Sequence, residues 1–278
     1  MIVSVASGKG GTGKTTVAVN LALALDNAQL IDCDVEEPNA HILLKPRIHQ
    51  EKPVYTLNPA INEDKCTHCR KCAELCQYNA LFVTASSVLG FPEICHSCGL
   101  CVLACPKGAI SEERREIGVI RKGTADGVDI VYGELNVGEP MTGPIIRETK
   151  KEIDKTKDVI IDVAPGASCP VVTSVYGSDF TLLVTEPTPF GLHDLKIAVE
   201  VLRMLQIPLG VIVNQAGIGD KKVYEYCEKE GIPILLEIPF SRRIAELYSR
   251  GVPFTLEMTE WKDRFKQLFK DIGEHVNC

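Results

Sequence analysis

The sequence has few aromatic residues (6%), a single tryptophan and no excess of basic side chains. Its 30 lysines and arginines stand against 37 aspartates and glutamates, a net charge of -7. Broad nucleic-acid binding draws on a basic patch, so this balance argues against it and no nucleic-acid partner is expected. No uninterrupted apolar run approaches the roughly 18 residues of a membrane-spanning helix. The first residues, MIVSVASGKGG, lack a basic segment ahead of their short apolar run and do not read as a secretory signal. That run leads straight into a motif that a removable peptide would not carry, and a cytoplasmic protein is expected. A composition of 45% hydrophobic and 24% charged residues is ordinary for a globular chain. Its 278 residues allow one large domain or two smaller ones.

Cysteine, by contrast, is plentiful. There are 12, and eight of them fall within residues 66–105; the others are Cys33, Cys169, Cys227 and Cys278. In a reducing compartment such a concentration reads as metal binding rather than disulfides. The eight belong to an internal repeat. CTHCRKCAELCQYNALFV starts at Cys66, and CHSCGLCVLACPKGAISE starts at Cys95, 29 residues later with the same cysteine spacing. A duplicated half-module is the simplest explanation.

Outside the repeat the pattern is α/β. IVSVA at 2–6 reads as a strand, followed by a glycine-rich turn and the helical TTVAVNLALAL; QLIDCD at 29–34 reads as the next strand. Residues 117–137 hold β-like fragments, and 143–155 has helical periodicity. DVIIDVAPG, DFTLLVTEP, PLGVIVNQ and PILLEIPF then alternate as strands with the helical GLHDLKIAVEVLRML and KKVYEYCEKEG. Apolar strands alternating with helices predict a mostly parallel sheet covered by helices. The expected organisation is one α/β domain in two parts, 1–55 and 114–278, interrupted by an α+β insert at 56–113. An insert that short buries little core and needs metal staples to hold its shape.

Gly8-Lys9-Gly10-Gly11-Thr12-Gly13-Lys14-Thr15 fits the phosphate-loop pattern G-x-x-x-x-G-K-[ST]. Backbone N–H groups of Gly10, Gly11, Thr12 and Gly13 can converge on phosphate oxygens, helped by the positive end of the following helix. Lys14 would reach the β- and γ-phosphates, Thr15 would bind Mg²⁺, and Thr16 is a further phosphate donor. The full G-K-G-G-T-G-K-T-T resembles the deviant Walker motif of the MinD/ParA/Mrp superfamily, which includes the nitrogenase iron protein. The resemblance covers residues 1–50 and 115–260. It implies that Lys9 reaches the nucleotide of a partner subunit in an ATP-dependent homodimer. It also implies that Asp34 positions the attacking water, with Asp32 in support, and that Asp162 holds Mg²⁺ through water. Gly166 would lie near the γ-phosphate, and Asn214 would contact adenine. The activity implied is ATP hydrolysis to ADP and phosphate, slow and stimulated by a partner.

The repeat C-x₂-C-x₂-C-x₃-C resembles bacterial two-cluster ferredoxins, and that resemblance covers the insert. It implies two [4Fe–4S] clusters, each taking three cysteines from one copy and the fourth from the other. One would use Cys66, Cys69, Cys72 and Cys105, and the other Cys95, Cys98, Cys101 and Cys76. Two zinc sites are the alternative reading. Gln77 follows Cys76 where a proline follows Cys105. His68 and His96 are expected as exposed spacers, and Cys33 and Cys169 as small buried residues. With both clusters oxidised, each carrying -2 with its thiolates, the net charge falls from -7 to about -11. A basic redox or iron–sulfur partner suits that charge.

Three functions remain open at this point. The first is coupling of nucleotide state to electron transfer or partner docking, the second is iron–sulfur cluster assembly or delivery, and the third is MinD-like positioning. The C-x-x-C near the C-terminus of Mrp-type carriers has no counterpart here. Trp261, Phe265, Leu268, Phe269, Ile272 and Val276 share one face of a terminal amphipathic helix. Docking on its own domain is the expected use of that face, with membrane contact as the alternative.

Overall fold

The computed structural model describes residues 1–276, so Cys278 lies outside the described residues. The chain begins β1 (Ile2–Ala6), α1 (Lys14–Ala24), β2 (Ala28–Asp32), α2 (Ala40–Leu44) and β3 (Arg47–Ile61). The cysteine segment follows, with α3 (Lys71–Leu75), β4 (Leu81–Val83), β5 (Val88–Gly90) and α4 (Leu100–Ala104). Next come β6 (Ile110–Ala125), β7 (Val128–Leu135), α5 (Gly143–Lys150), β8 (Asp158–Asp162), α6 (Cys169–Val175) and β9 (Phe180–Thr185). The remainder is α7 (Pro189–Met204), β10 (Leu209–Ala216), α8 (Lys222–Glu230), β11 (Ile234–Pro239), α9 (Arg242–Ser249) and α10 (Thr259–Val276).

Among the described residues the main sheet has nine strands in the order β11-β10-β9-β1-β8-β2-β7-β6-β3. From β11 to β7 every pairing is parallel, and β6 and β3 add an antiparallel edge. The inner strands IVSVA, VIID and FTLLVT are apolar along their length because helices cover both faces. On one face α1 and α10 close a core that includes Leu21, Leu30, Ile160, Phe254 and Phe265. On the other, α5, α6, α7 and α8 close one around Ile31, Ile146, Ile161, Val199 and Val213. β1 is central, with β8 and β9 on either side. The crevice at its C-terminal end is where such sheets bind ligands.

The terminal helix docks on its own domain. Trp261, Phe265, Leu268 and Ile272 are buried, and Phe254 meets Trp261 edge-on with ring centroids 5.5 Å apart. The apolar face of α10 is therefore consumed inside the fold. No helix among the described residues is long and apolar enough to cross a membrane.

β3 and β6 are long and pair from Arg47–Thr124 to Ile61–Ile110, passing residues 56 and 113 without interruption. They carry the cysteine segment at their far end as a two-stranded arm. Pro53 and Pro59 suit β3, an outer strand whose free edge needs no N–H donors. In the cysteine segment β4 and β5 form a hairpin, with Leu81, Val83 and Val88 buried against Cys66, Cys72 and Cys101.

Candidate functional site

Two places concentrate chemistry: the C-terminal end of β1 and the cysteine segment.

After β1 the chain turns through residues 7–13 and enters α1 at Lys14. Gly13 has φ +90°, and a Cβ there would sit 2.5 Å from Asn214 Nδ2, so only glycine is accommodated. Gly8 is equally constrained, because a Cβ would lie 2.3 Å from the Asp194 carbonyl oxygen. Asn214 Nδ2 donates to the Thr12 carbonyl at 2.8 Å, which pins the loop to the end of β10. Gly10 and Gly11 are exposed, with φ +80° at Gly11. No side chain caps α1, so its first N–H groups point into the crevice unclaimed.

Lys14 lies under this loop, its side chain 8% exposed. Its Nζ donates to Asp34 Oδ2 at 2.9 Å and to Thr15 Oγ1 at 3.4 Å, and Asp162 Oδ1 is 3.7 Å away. Burial pulls the lysine's pKa down, but the charges of Asp162, Asp34 and Asp32 outweigh it and hold the pKa above its ordinary value. Burial pushes Asp162 up to about 6 against the pull of Lys14. Both Asp162 carboxylate oxygens and Thr12 Oγ1 are buried without a hydrogen-bond partner. Orphaned acceptors beside an ammonium, with Thr15 adjacent, suit a magnesium–phosphate ligand.

Asp32 has a different place. Oδ1 accepts from Asp34 N at 3.0 Å, and Oδ2 accepts from Asn39 N and Ala40 N, each at 3.1 Å. It ties residues 33–40 into one loop and holds Asp34 facing Lys14. Burial, then the neighbouring Asp162, pushes its pKa up to about 8. Gly166, with φ +106°, donates its N–H to the Ser7 carbonyl at 2.9 Å and so sits beside the phosphate loop. Thr16 follows in the first turn of α1.

Lys9 is one-third exposed and paired within its own chain, its Nζ 3.2 Å from Glu186 Oε2. Gln215 Nε2 donates to the other oxygen of Glu186 at 2.9 Å. The sequence assigns no role to Glu186 or Gln215. The only signal was their position, at or near the C-terminal ends of strands β9 and β10.

The remaining cysteines divide. Cys33 is buried, and burial pushes its thiol up to about 12; burial likewise puts Cys227 at about 11. Both are packing residues. Cys169, expected to be buried, is exposed at the first position of α6. Pro170 and Val171 begin that helix beside it, and only Val171 faces the core.

In the cysteine segment none of the described cysteines forms a disulfide. One cavity is lined by Cys66, Cys69, Cys72 and Cys105, and a second by Cys95, Cys98, Cys101 and Cys76. Each thus draws three thiols from one copy of the repeat and one from the other. Backbone N–H groups already point at sulfur: Ala80 N is 3.3 Å from Cys76 Sγ, and Ala109 N is 3.2 Å from Cys105 Sγ. Slight burial disfavours the Cys105 thiolate, but N–H groups of residues 107–110 outweigh it and bring its pKa below the ordinary value. Four thiols per cavity, with N–H donors in place, fit a four-iron cluster. His68, expected exposed, is half-buried, 3.2 Å from Glu63 and near Cys66. His96 stacks on Tyr78 with centroids 3.7 Å apart.

The profile of the CobQ/CobB/MinD/ParA nucleotide binding domain matches residues 3–254. An uncharacterized protein of Methanocaldococcus jannaschii is 34% identical over 261 residues, covering 91% of each chain. An iron-sulfur cluster carrier protein of the same organism is 24% identical over 297 residues, covering 97% of this chain and 83% of its own. In fold, the septum site-determining protein MinD of Pyrococcus horikoshii, solved with Mg-ADP, is similar at a TM-score of 0.61 and 20% identity, covering 98% of this chain and 95% of that one. With a family match over most of its length and a 34%-identical relative over nine-tenths of it, the chain belongs to the CobQ/CobB/MinD/ParA nucleotide-binding family.

Proposed function

We propose that this chain is an ATP-hydrolysing iron–sulfur protein whose cysteine segment is a ferredoxin-like insert holding two resident [4Fe–4S] clusters. Nucleotide state is coupled to electron transfer or partner docking. The observation that carries this reading is the division of eight cysteines into two cavities, each completed by the other copy of the repeat. Bound there, each cluster supplies a store for one electron.

At the phosphate loop, the N–H groups of residues 10–13 and of the first turn of α1 receive the phosphates. Lys14 would turn from Asp34 to the β- and γ-oxygens, and Thr15 and, through water, Asp162 would hold Mg²⁺. Released from Lys14, Asp34 orients the attacking water. Gly166 N leaves the Ser7 carbonyl to meet the γ-phosphate, and Asn214 bridges the loop and the base. Because Asp32 ties residues 33–40 together, movement of Asp34 is passed to α2 and then into β3, which runs on to the cysteines. That continuity is the proposed route of coupling.

Lys9 leaves Glu186 to reach the nucleotide of a second copy, where a cation stabilises transition-state charge as an arginine finger does. Two chains of net charge -7 repel at long range, so association rests on short-range contacts at the shared face, among them Lys9 meeting the other copy's nucleotide. Sedimentation should show a mainly monomeric apo protein and a tighter MgATP dimer, most persistent in Asp34→Ala. Lys9→Ala should bind ATP yet dimerise poorly, and equal association by Lys9→Ala and the parent would reduce Lys9 to a loop lysine.

The coupling is tested on anaerobically purified protein by electron paramagnetic resonance of the reduced state, with and without MgATP. A change in the signals is expected. Identical spectra and reduction rates in both conditions would remove nucleotide coupling from the proposal.

Cluster delivery is the second reading, favoured by similarity to iron-sulfur cluster carrier proteins. Rapid MgATP-dependent loss of iron to an apo-ferredoxin would select it over resident clusters.

A further inference from the structure

The duplication lets each residue of the first copy be compared with its counterpart 29 positions on. The backbones agree. His68 and Ser97 have φ +51° and +54°, Arg70 and Gly99 +65° and +70°, Asn79 and Gly108 +53° and +57°. α3 and α4 start 29 residues apart, and so do the two N–H donors to Cys76 and Cys105 sulfur. The scaffold is largely common to both copies, so the main difference between the cavities lies in side chains.

Those side chains differ in charge. Arg70, Lys71 and Lys107 line the cavity of Cys66, Cys69, Cys72 and Cys105. At the equivalent positions the other cavity has Gly99, Leu100 and Tyr78, and Glu112 is its one charged lining residue apart from the thiols. Lys65, just before Cys66, is matched by Ile94 just before Cys95. Among the described residues Lys65, Arg70, Lys71 and Lys107 make no ion pair. Of the nearby acids, Glu63 is engaged by His68 and the Val88 N–H, and Asp64 and Glu74 do not line the cavity. Cys66 Sγ also accepts the His68 N–H at 3.4 Å.

We propose that the two sites hold an electron unequally: the Arg70, Lys71 and Lys107 rim makes the Cys66/Cys69/Cys72/Cys105 site the more easily reduced, and an electron entering the segment rests there. This inference rests on the reading that both sites carry [4Fe–4S] clusters. Reduction moves one electron from an external one-electron reductant, which is oxidised, and adds one negative charge to a site without breaking a bond. Cationic side chains and N–H donors at the rim favour that added charge. Leu100 and Tyr78 offer nothing equivalent; Arg115, whose charge reaches Cys95, is already paired with Glu139, and Glu112 opposes the added electron. The rim residues tune the site and do not touch a substrate.

The test is a potentiometric titration of the anaerobic holoprotein followed by electron paramagnetic resonance, with iron and sulfide measured on every variant. Two waves are expected. Arg70→Gln/Lys71→Gln/Lys107→Gln should move the more positive wave to lower potential and leave the other nearly in place. Leu100→Lys should raise the more negative wave, and both effects should shrink at high salt because the side chains are exposed. Fully loaded variants in which neither wave moves, or in which the triple substitution moves the more negative wave, would overturn the inference while leaving the cluster reading intact. A protein without acid-labile sulfide would overturn both.

Discussion

Lys14→Ala is expected to abolish nucleotide binding and to lower the stability of the nucleotide-free protein by about 3–5 kcal/mol. Both effects come from one ammonium. Lys14 Nζ is the cation between Asp34 at 2.9 Å and Asp162 at 3.7 Å, and Asp32 and Asp162 are fully buried. Its removal leaves buried carboxylates facing one another with no counter-charge. That loss is a large share of a typical total stability of about 5–15 kcal/mol. For the nucleotide, the same change would remove the cation proposed for the β- and γ-phosphates, which α1's N–H groups would not replace alone. The two effects separate in a second variant. Lys14→Ala/Asp34→Asn removes one negative charge together with the lysine, so denaturant midpoints should recover much of the lost stability. Calorimetric titration with MgADP should still find no binding. Recovery of binding in the double variant would mean that Lys14 acts on the fold and not on phosphate.

Much of this was legible in the sequence, for identifiable reasons. The buried parallel strands read correctly because they are continuous apolar runs, and the phosphate loop read correctly because Gly13 and Lys14 stand between strand and helix. The terminal helix face from Trp261 to Ile272 was legible as one apolar stripe because its spacing is helical, and burial of those residues shows that it docks on its own domain. β3 was not legible. RIHQEKPVY is charged and broken by Pro53, since among the described residues one edge of that strand pairs with no other strand and its first half buries no side chain. Helix α9, in SRRIAELYS, was missed for a similar reason, as Leu247 is its one buried residue. Within the site, Asp34 and Asp162 could be placed from strand ends, but the partner of Lys9 could not. Glu186 and Gln215 meet it across 177 and 29 residues of chain, respectively to Lys9 and to each other, and only the sheet order brings them together. Cys169 departs from its expected burial because that expectation rests only on how often cysteine is buried, whereas the first turn of α6 turns it outward.

The cysteine pairing yields the other large effect. Cys105→Ala is expected to cut iron and acid-labile sulfide from about eight of each per chain to about four. Alanine supplies no ligand, so one iron of the affected cube loses its anchor. The identity of the lost cluster distinguishes crossed from uncrossed ligation. Cys105 belongs by sequence with Cys95, Cys98 and Cys101, yet it lines the cavity of Cys66, Cys69 and Cys72. The cluster surviving in Cys105→Ala should therefore have the same spectrum as that in Cys66→Ala, and a different one from that in Cys95→Ala. Cys76→Ala should match Cys95→Ala by the same reasoning. The affected half should also loosen, because its apolar core is little more than Leu81, Val83 and Val88 and metal binding there is coupled to folding. Nucleotide binding should persist in all four variants, since the sheet from β11 to β7 and both of its cores form without the cysteines of the segment. If Cys105→Ala instead matches Cys95→Ala, each copy of the repeat ligates its own metal. The crossed arrangement would then be wrong, even with eight irons bound in the parent protein.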